Sequence, residues 1–170
     1  MPTRAIAIVV VCCAALAALG VTLASPWEDA EGRSVVVTDD GGEALATVPL
    51  EGDTFAVSYR NSIYRTLAEE RYEVRADGSY HLVQIAAEQL AVLEEYYGVP
   101  GAPSKAPEND RRRWVVPPDP AHPAVFTDLS IAATDRGERV LHVPGSEPVA
   151  LWRLVEDSDP YLSIDIKENP

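Results

Sequence analysis

The sequence predicts a mainly β, antiparallel fold, a sandwich or barrel of hairpins, preceded by an N-terminal transmembrane or signal helix. Three observations predict it. Residues 54–61 and 161–166 alternate apolar and polar side chains with period two. Turn formers such as Asp77-Gly78 and Pro144-Gly145 recur between the apolar runs. Ala5 to Ala24 form an unbroken run of twenty apolar or small residues, and the chain beyond Ala24 is acidic and cysteine-free.

The apolar run sits at the N-terminus. Twenty residues at helical rise span about 30 Å, the thickness of a bilayer core. Arg4 precedes it, and Glu28, Asp29 and Glu31 lie just beyond it. That asymmetry puts the N-terminus inside and the domain outside. Two readings stand for residues 1–24. One is an uncleaved anchor that makes the protein a single-pass component of the cell membrane. The other is a signal peptide cleaved near Ala24, which leaves the domain secreted. Residues 25–33 read as a short polar tether, and residues 34–168 as a single β-rich extracytoplasmic domain.

Composition narrows the function. The formal net charge is −13, with a sequence pI near 4.5. Phosphates would be repelled, so nucleic acid is not an expected partner. Both cysteines, Cys12 and Cys13, lie inside the apolar run, so the domain has neither thiol chemistry nor disulfides.

The first strands are the clearest. Residues 34–38 are β-branched, Asp39-Asp40-Gly41-Gly42 turns the chain, and 44–49 return it. In 54–61, Phe55, Val57 and Tyr59 share one face, while Ala56, Ser58 and Arg60 share the other. Residues 70–75 point Tyr72 and Val74 inward and Arg71, Glu73 and Arg75 outward. Asp77-Gly78 is read as a two-residue turn into 80–85. In 86–97, Leu90, Leu93 and Tyr97 fall at helical spacing and predict a short helix. Residues 128–133, 139–143, 148–155 and 161–166 complete the strands.

Residues 100–123 carry seven prolines, too many for a regular element. They also contain Arg111-Arg112-Arg113-Trp114, the basic cluster of an acidic chain. One reading is a solvated loop with Trp114 starting a strand. The other is a partner-docking patch, since guanidinium forks bind carboxylates well.

Candidate chemistry centres on the connection between 54–61 and 70–75. Parity puts Asn61 on the face of Tyr59, and Glu70 on the face of Tyr72. Both polar groups then point to the apolar side, where each needs a partner. Either they pin the loop through hydrogen bonds, or Asn61, Ser62, Thr66 and Glu70 line a small ligand-binding pocket. His81, His122 and His142 are scattered without ligand spacing, and no Gly-x-Ser-x-Gly or phosphate-binding loop occurs. No enzyme activity, metal or cofactor is therefore expected.

Tyr59-Arg60-Asn61-Ser62, Thr66 and Glu70-Arg71-Tyr72 resemble a signature of the prokaryotic domain-of-unknown-function family number 1850. That signature is an apolar strand ending Tyr-x-His-Ser, then a threonine, then Glu-x-aromatic. Tyr97-Gly98-Val99-Pro100-Gly101 resembles the family's second motif, and the likeness covers residues 34–166. The resemblance implies a small exported or anchored protein. It also implies a strand before Tyr97, against the helical spacing. Members are often encoded beside tripartite ATP-independent periplasmic transporters, which implies an accessory or interaction role with a transporter subunit. Asn61 stands where the family has histidine. Asn can hydrogen-bond but cannot titrate near neutrality, which weights the position towards structure or binding. The expectation is an extracytoplasmic accessory or interaction domain. A small-ligand binding module is the alternative.

Overall fold

The computed structural model describes residues 32–98 and 100–169. The expected N-terminal helix, and all of the tether before Gly32, lie outside the described residues. Among the described residues, no helix is long and apolar enough to cross a membrane.

Among the described residues, twelve strands form two open antiparallel sheets, and neither closes into a barrel. The small sheet has the order β2-β1-β12-β9, from β1 (Arg33–Asp39), β2 (Ala44–Leu50), β9 (Asp128–Ala132) and β12 (Tyr161–Glu168). The large sheet begins with β3 (Thr54–Arg60), β4 (Leu67–Val74), β5 (Tyr80–Ala87), β6 (Ser104–Lys105) and β7 (Trp114–Val116). It is completed by β8 (Val125–Phe126), β10 (Val140–His142) and β11 (Val149–Ala150). Its order is β11-β10-β3-β4-β5-β7-β6, with β8 also pairing β5.

Two hairpins share one turn design. In β1–β2 the amide of Gly42 donates to Asp39 O and the amide of Asp39 to Glu43 O. In β4–β5 the amide of Gly78 donates to Arg75 O and the amide of Arg75 to Ser79 O. Gly42 (φ 80°) and Gly78 (φ 81°) take the left-handed position that ends such loops. The Asp77-Gly78 turn is thus a three-residue loop, Ala76-Asp77-Gly78, rather than the two-residue turn expected.

One core is shared between the sheets. Val35, Val37, Leu162 and Ile164 from the small sheet meet Val57, Tyr72, Tyr80 and Leu141 from the large one. Phe55, Tyr72, Tyr80 and Phe126 form a four-ring cluster with centroids 5.0–6.0 Å apart. The Tyr80 hydroxyl crosses the core and donates to Ile164 O at 2.7 Å, a polar tie between the sheets.

Past the small sheet, a second cluster covers the inner face of the large one. Here Tyr59, Ala68, Ile85 and Ala87 pack under Val92 and Leu93. Those two residues belong to a short π-helical turn, Val92–Tyr97. The helix expected over 86–97 is therefore shorter. Ala86 and Ala87 finish β5, where they pair Val115 and Trp114, and the helical spacing is used only beyond them. The strand implied by resemblance likewise stops at Ala87. A third correction falls in 148–155: β11 ends at Ala150, and Leu151–Arg153 is a 3-10 turn with Leu151 in the core.

Because Tyr80 carries the tie between the sheets, Tyr80→Phe should lower the unfolding free energy by about 1 kcal/mol. Urea denaturation followed by circular dichroism measures it. An unchanged midpoint would mean that the tie contributes nothing.

Candidate functional site

The candidate residues between β3 and β4 do not converge on one pocket. Asn61 is buried, and its Oδ1 accepts the amides of Ile63 and Tyr64, both at 3.0 Å. Its own amide and carbonyl bond Thr66 O and the amide of Arg65. Asn61 is therefore a loop pin, and Arg65 takes the left-handed backbone (φ 56°) that closes the loop. Ser62 is exposed on the turn. Two buried atoms here, Asn61 Nδ2 and Thr66 Oγ1, have no hydrogen-bond partner among the described residues.

Glu70 lies inward as parity requires, but at another level of the ladder. It pairs Val57, four residues from Asn61, roughly 13 Å at ~3.3 Å per residue. The hydroxyls of Tyr72 and Tyr97 donate to its two oxygens at 2.8 and 2.7 Å. The Tyr59 and Tyr97 hydroxyls lie 2.7 Å apart. Burial, with the neighbouring Glu70 charge adding to it, pushes the Tyr97 and Tyr72 hydroxyls up. Burial raises Tyr59 to about 12. Glu70 thus ties the π-helical turn to β4, between the two apolar clusters.

The denser polar site is on the opposite face of the large sheet. Side chains on that face fall into two rows. One row reads Val140, Ser58, Glu69, Ala86 across β10, β3, β4 and β5. The next reads His142, Ala56, Arg71, Gln84. The alternation of β3 implies a solvent-facing side here, yet Ala56 and Ser58 are only 5% and 4% exposed. The loop between β6 and β7 reaches over this face through Asp110, Arg111 and Arg112.

Glu69 holds that segment down. Its side chain has no exposed surface. Its Oε1 accepts Arg71 Nε at 2.8 Å and an Arg111 terminal nitrogen at 2.9 Å. An Arg112 terminal nitrogen sits 3.4 Å from Oε2. Arg71 in turn forks onto Asp110 at 2.6 and 2.8 Å, and donates to Gln84 Oε1 at 2.7 Å. The amide of Arg112 also donates to Asp110. A buried carboxylate costs several kcal/mol unless paired, and here guanidinium groups from two segments supply the pairing.

The basic cluster therefore divides. Arg111 and Arg112 turn towards the chain's own Glu69. Arg113 remains 80% exposed beside Glu88, and Trp114 opens β7 and packs on the second cluster. Among the described residues, no group of three His, Cys, Asp or Glu side chains is placed to hold a metal.

Beside the clamp lies a cavity of about 620 Å³. Ala56 is the small member of its row, so the floor dips between His142 and Arg71. Val83 and Pro144 supply apolar wall, while Thr54, Arg71, Gln84, Arg111 and His142 supply polar groups. His142 Nε2 is 2.8 Å from Ser58 Oγ, which fixes the ring. Apolar walls with a few convergent polar groups are the usual character of small-molecule sites.

Of the groups that titrate away from their usual values here, His142, Glu69 and Asp110 bear on acid stability, and Asp110 is lowered by its hydrogen bond from Arg71. Burial, with Arg111 next, lowers His142 from 6.5, so the ring is neutral at physiological pH. Burial raises the Glu69 carboxyl, but hydrogen bonds from Arg111 and Arg71 outweigh it and bring it below 4.5. Each group then binds its proton less readily when folded, so stability falls as pH falls. His142's contribution is fully present above pH 6.5 and is lost as pH drops through its lower folded value. Glu69's is present above pH 4.5 and is lost further down.

Sequence reasoning misses Glu69, Arg71, Gln84 and His142 as site residues. The available signal is charge complementarity. A basic triplet in a long loop needs a carboxylate, and an outward strand face offers Glu69 beside Arg71.

Glu69→Gln should cost about 3 kcal/mol, because it leaves guanidinium groups partly buried without their countercharge. Thermal unfolding from pH 7 to pH 3 should show stability lost below pH 6.5 and again below pH 4.5 in wild type, and in Glu69→Gln the second loss should be smaller while the first is kept. Two undiminished steps in the variant would refute the clamp.

Comparison of the chain with family models, curated proteins and solved structures finds no match.

Proposed function

We propose that this domain is a small-ligand binding module with no catalytic step, and that its ligand lies in the cavity over Ala56. The observation that carries this reading is the row His142, Ala56, Arg71, Gln84. It places polar groups around a small residue beneath Arg111, with apolar walls on either side. Binding rather than catalysis is favoured by Ser58. Its hydroxyl is within reach of His142, but the residue is 4% exposed and does not line the cavity. A nucleophile there is withheld from any ligand.

The proposed setting is outside the cytoplasm, with residues 1–24 as anchor or signal peptide. The resemblance to family 1850 supports an accessory role beside a solute transporter. A module that captures or senses solute would serve there. A competing reading, an interaction domain for a transporter subunit, has one observation in its favour. Ile63 and Tyr96, 68% and 50% exposed, flank a hydrogen bond from Tyr64 to Glu95. Crosslinked recovery of a transporter subunit by wild type, and not by Ile63→Asp, would carry that reading.

The binding reading is tested by a thermal-shift screen of full-length protein against acids, amides, amines, sugars and salts. At least one solute should raise the melting temperature. The half-buried Val83 lines the cavity without a polar role, so Val83→Trp should fill it and abolish the shift while leaving the fold intact. A screen flat throughout, or a shift that survives Val83→Trp, would sink the proposal.

A further inference from the structure

We infer that the ligand of this cavity is a small organic anion, a carboxylate carried on an apolar body. The inference rests on the binding reading above and assigns the ligand's chemistry from the hydrogen-bonding groups left uncommitted around the cavity.

Those groups are donors. Arg111 spends one terminal nitrogen on Glu69. Its Nε and other terminal nitrogen meet no acceptor among the described residues, and its side chain is half exposed at the cavity. Gln84 gives its Oε1 to Arg71, which leaves its amide NH₂ as the free end. His142 has Nε2 engaged with Ser58, and Nδ1 is without a partner among the described residues. When the Ser58 hydroxyl donates to Nε2, Nδ1 carries the proton and donates as well. The carboxylates nearby are occupied. Glu69 Oε1 accepts from Arg71 and Arg111, its Oε2 makes no hydrogen bond but is buried 3.4 Å from Arg112, and Asp110 takes both terminal nitrogens of Arg71. An amine entering the cavity would find donors and guanidinium charge where it needs acceptors.

Charge agrees. Glu69 and Asp110 face three guanidinium groups, Arg71, Arg111 and Arg112, which leaves one positive charge in excess. Glu88 does not cancel it, since the exposed Arg113 shares that carboxylate. The excess is local, within a chain of net charge −13. Arg111 is its accessible carrier, and a guanidinium edge matches a carboxylate in planar geometry. Apart from Arg71 and the hydroxyl of Thr54, the rest of the lining is apolar: Ala56, Val83 and Pro144, beside the core residues Phe55, Tyr72 and Val143. A bare inorganic anion would leave that surface unused. The volume of about 620 Å³ accommodates a body of several carbons.

The test is isothermal titration calorimetry on full-length protein in lipid nanodiscs. The probes are phenylacetate and hexanoate, their primary amides, phenethylamine and hexylamine, inorganic phosphate, and a tetrapeptide with a free C-terminus. The carboxylates should bind at least about ten-fold tighter than the matched amides and amines. Arg111→Gln should remove that advantage. Arg111→Lys, which still offers Glu69 a positive charge, guards against simple unfolding and should retain part of it. Equal binding of acid and amide, abolished by Val83→Trp, would overturn the anion assignment and leave the binding reading intact. Phosphate binding as tightly as the carboxylates, or the peptide alone binding, would also overturn it. Silence of every probe, neutral and charged, would remove both readings together.

Discussion

Burying Glu69 is the constraint on which the site depends. A carboxylate with no exposed surface must be compensated where it sits, and β4 alone offers it only Arg71. Arg111 and Arg112 come from a segment 42 and 43 residues further on, rich in proline and without long strands of its own. Once those guanidinium groups are committed to Glu69, the loop between β6 and β7 is drawn over the outer face of the large sheet, while the two strands themselves extend its edge. Its position then fixes Asp110 against Arg71 and sets Arg111 at the rim of the cavity over Ala56. The shape of the cavity is thus a consequence of electrostatic compensation. Ala56 supplies the remaining condition, because a larger side chain in its row would fill the floor.

The inner face obeys a different rule. There the core is apolar and aromatic, and single well-placed hydroxyls meet the polar atoms within it: Tyr80 on Ile164 O, and Tyr72 and Tyr97 on Glu70, while Asn61 Nδ2 at the sheet end has no partner among the described residues. Glu69 and Glu70 are neighbours in sequence and face opposite sides of one strand. One is compensated by guanidinium groups and clamps a loop. The other accepts neutral hydroxyls and holds a helical turn. Their different partners follow from which segment covers each face, not from the residues themselves.

That contrast also explains how much of the fold and site is legible in the sequence. Period-two alternation gives the faces of β3, β4 and β12 correctly and puts Glu70 inward with Tyr72. Turn glycines mark the hairpins, and Trp114 does start a strand. Alternation reports which side a residue faces, but not whether that side is covered, so by alternation alone Glu69 reads as solvent-facing. Parity likewise puts Asn61 and Glu70 on one face without showing that they stand four ladder positions apart. Strands β6, β7 and β8, of two or three residues, are too short to carry a period and exist because β5 offers an edge. The 86–97 segment holds two signals, strand pairing for Ala86 and Ala87 and helical spacing beyond, and the structure divides it between them.

The most direct test of this account is native-state amide exchange at pH 7, read residue by residue in NMR spectra of the full-length protein. The amides of Ala106 and Arg112 donate to Arg113 O and Asp110 Oδ1 within the clamped segment. If Glu69 holds that segment onto the sheet, both should exchange far more slowly than the amide of the exposed Ser62, approaching β4 itself. Exchange at the rate of a free loop would show that the segment is not held, and the cavity it encloses would no longer be a feature of the folded protein.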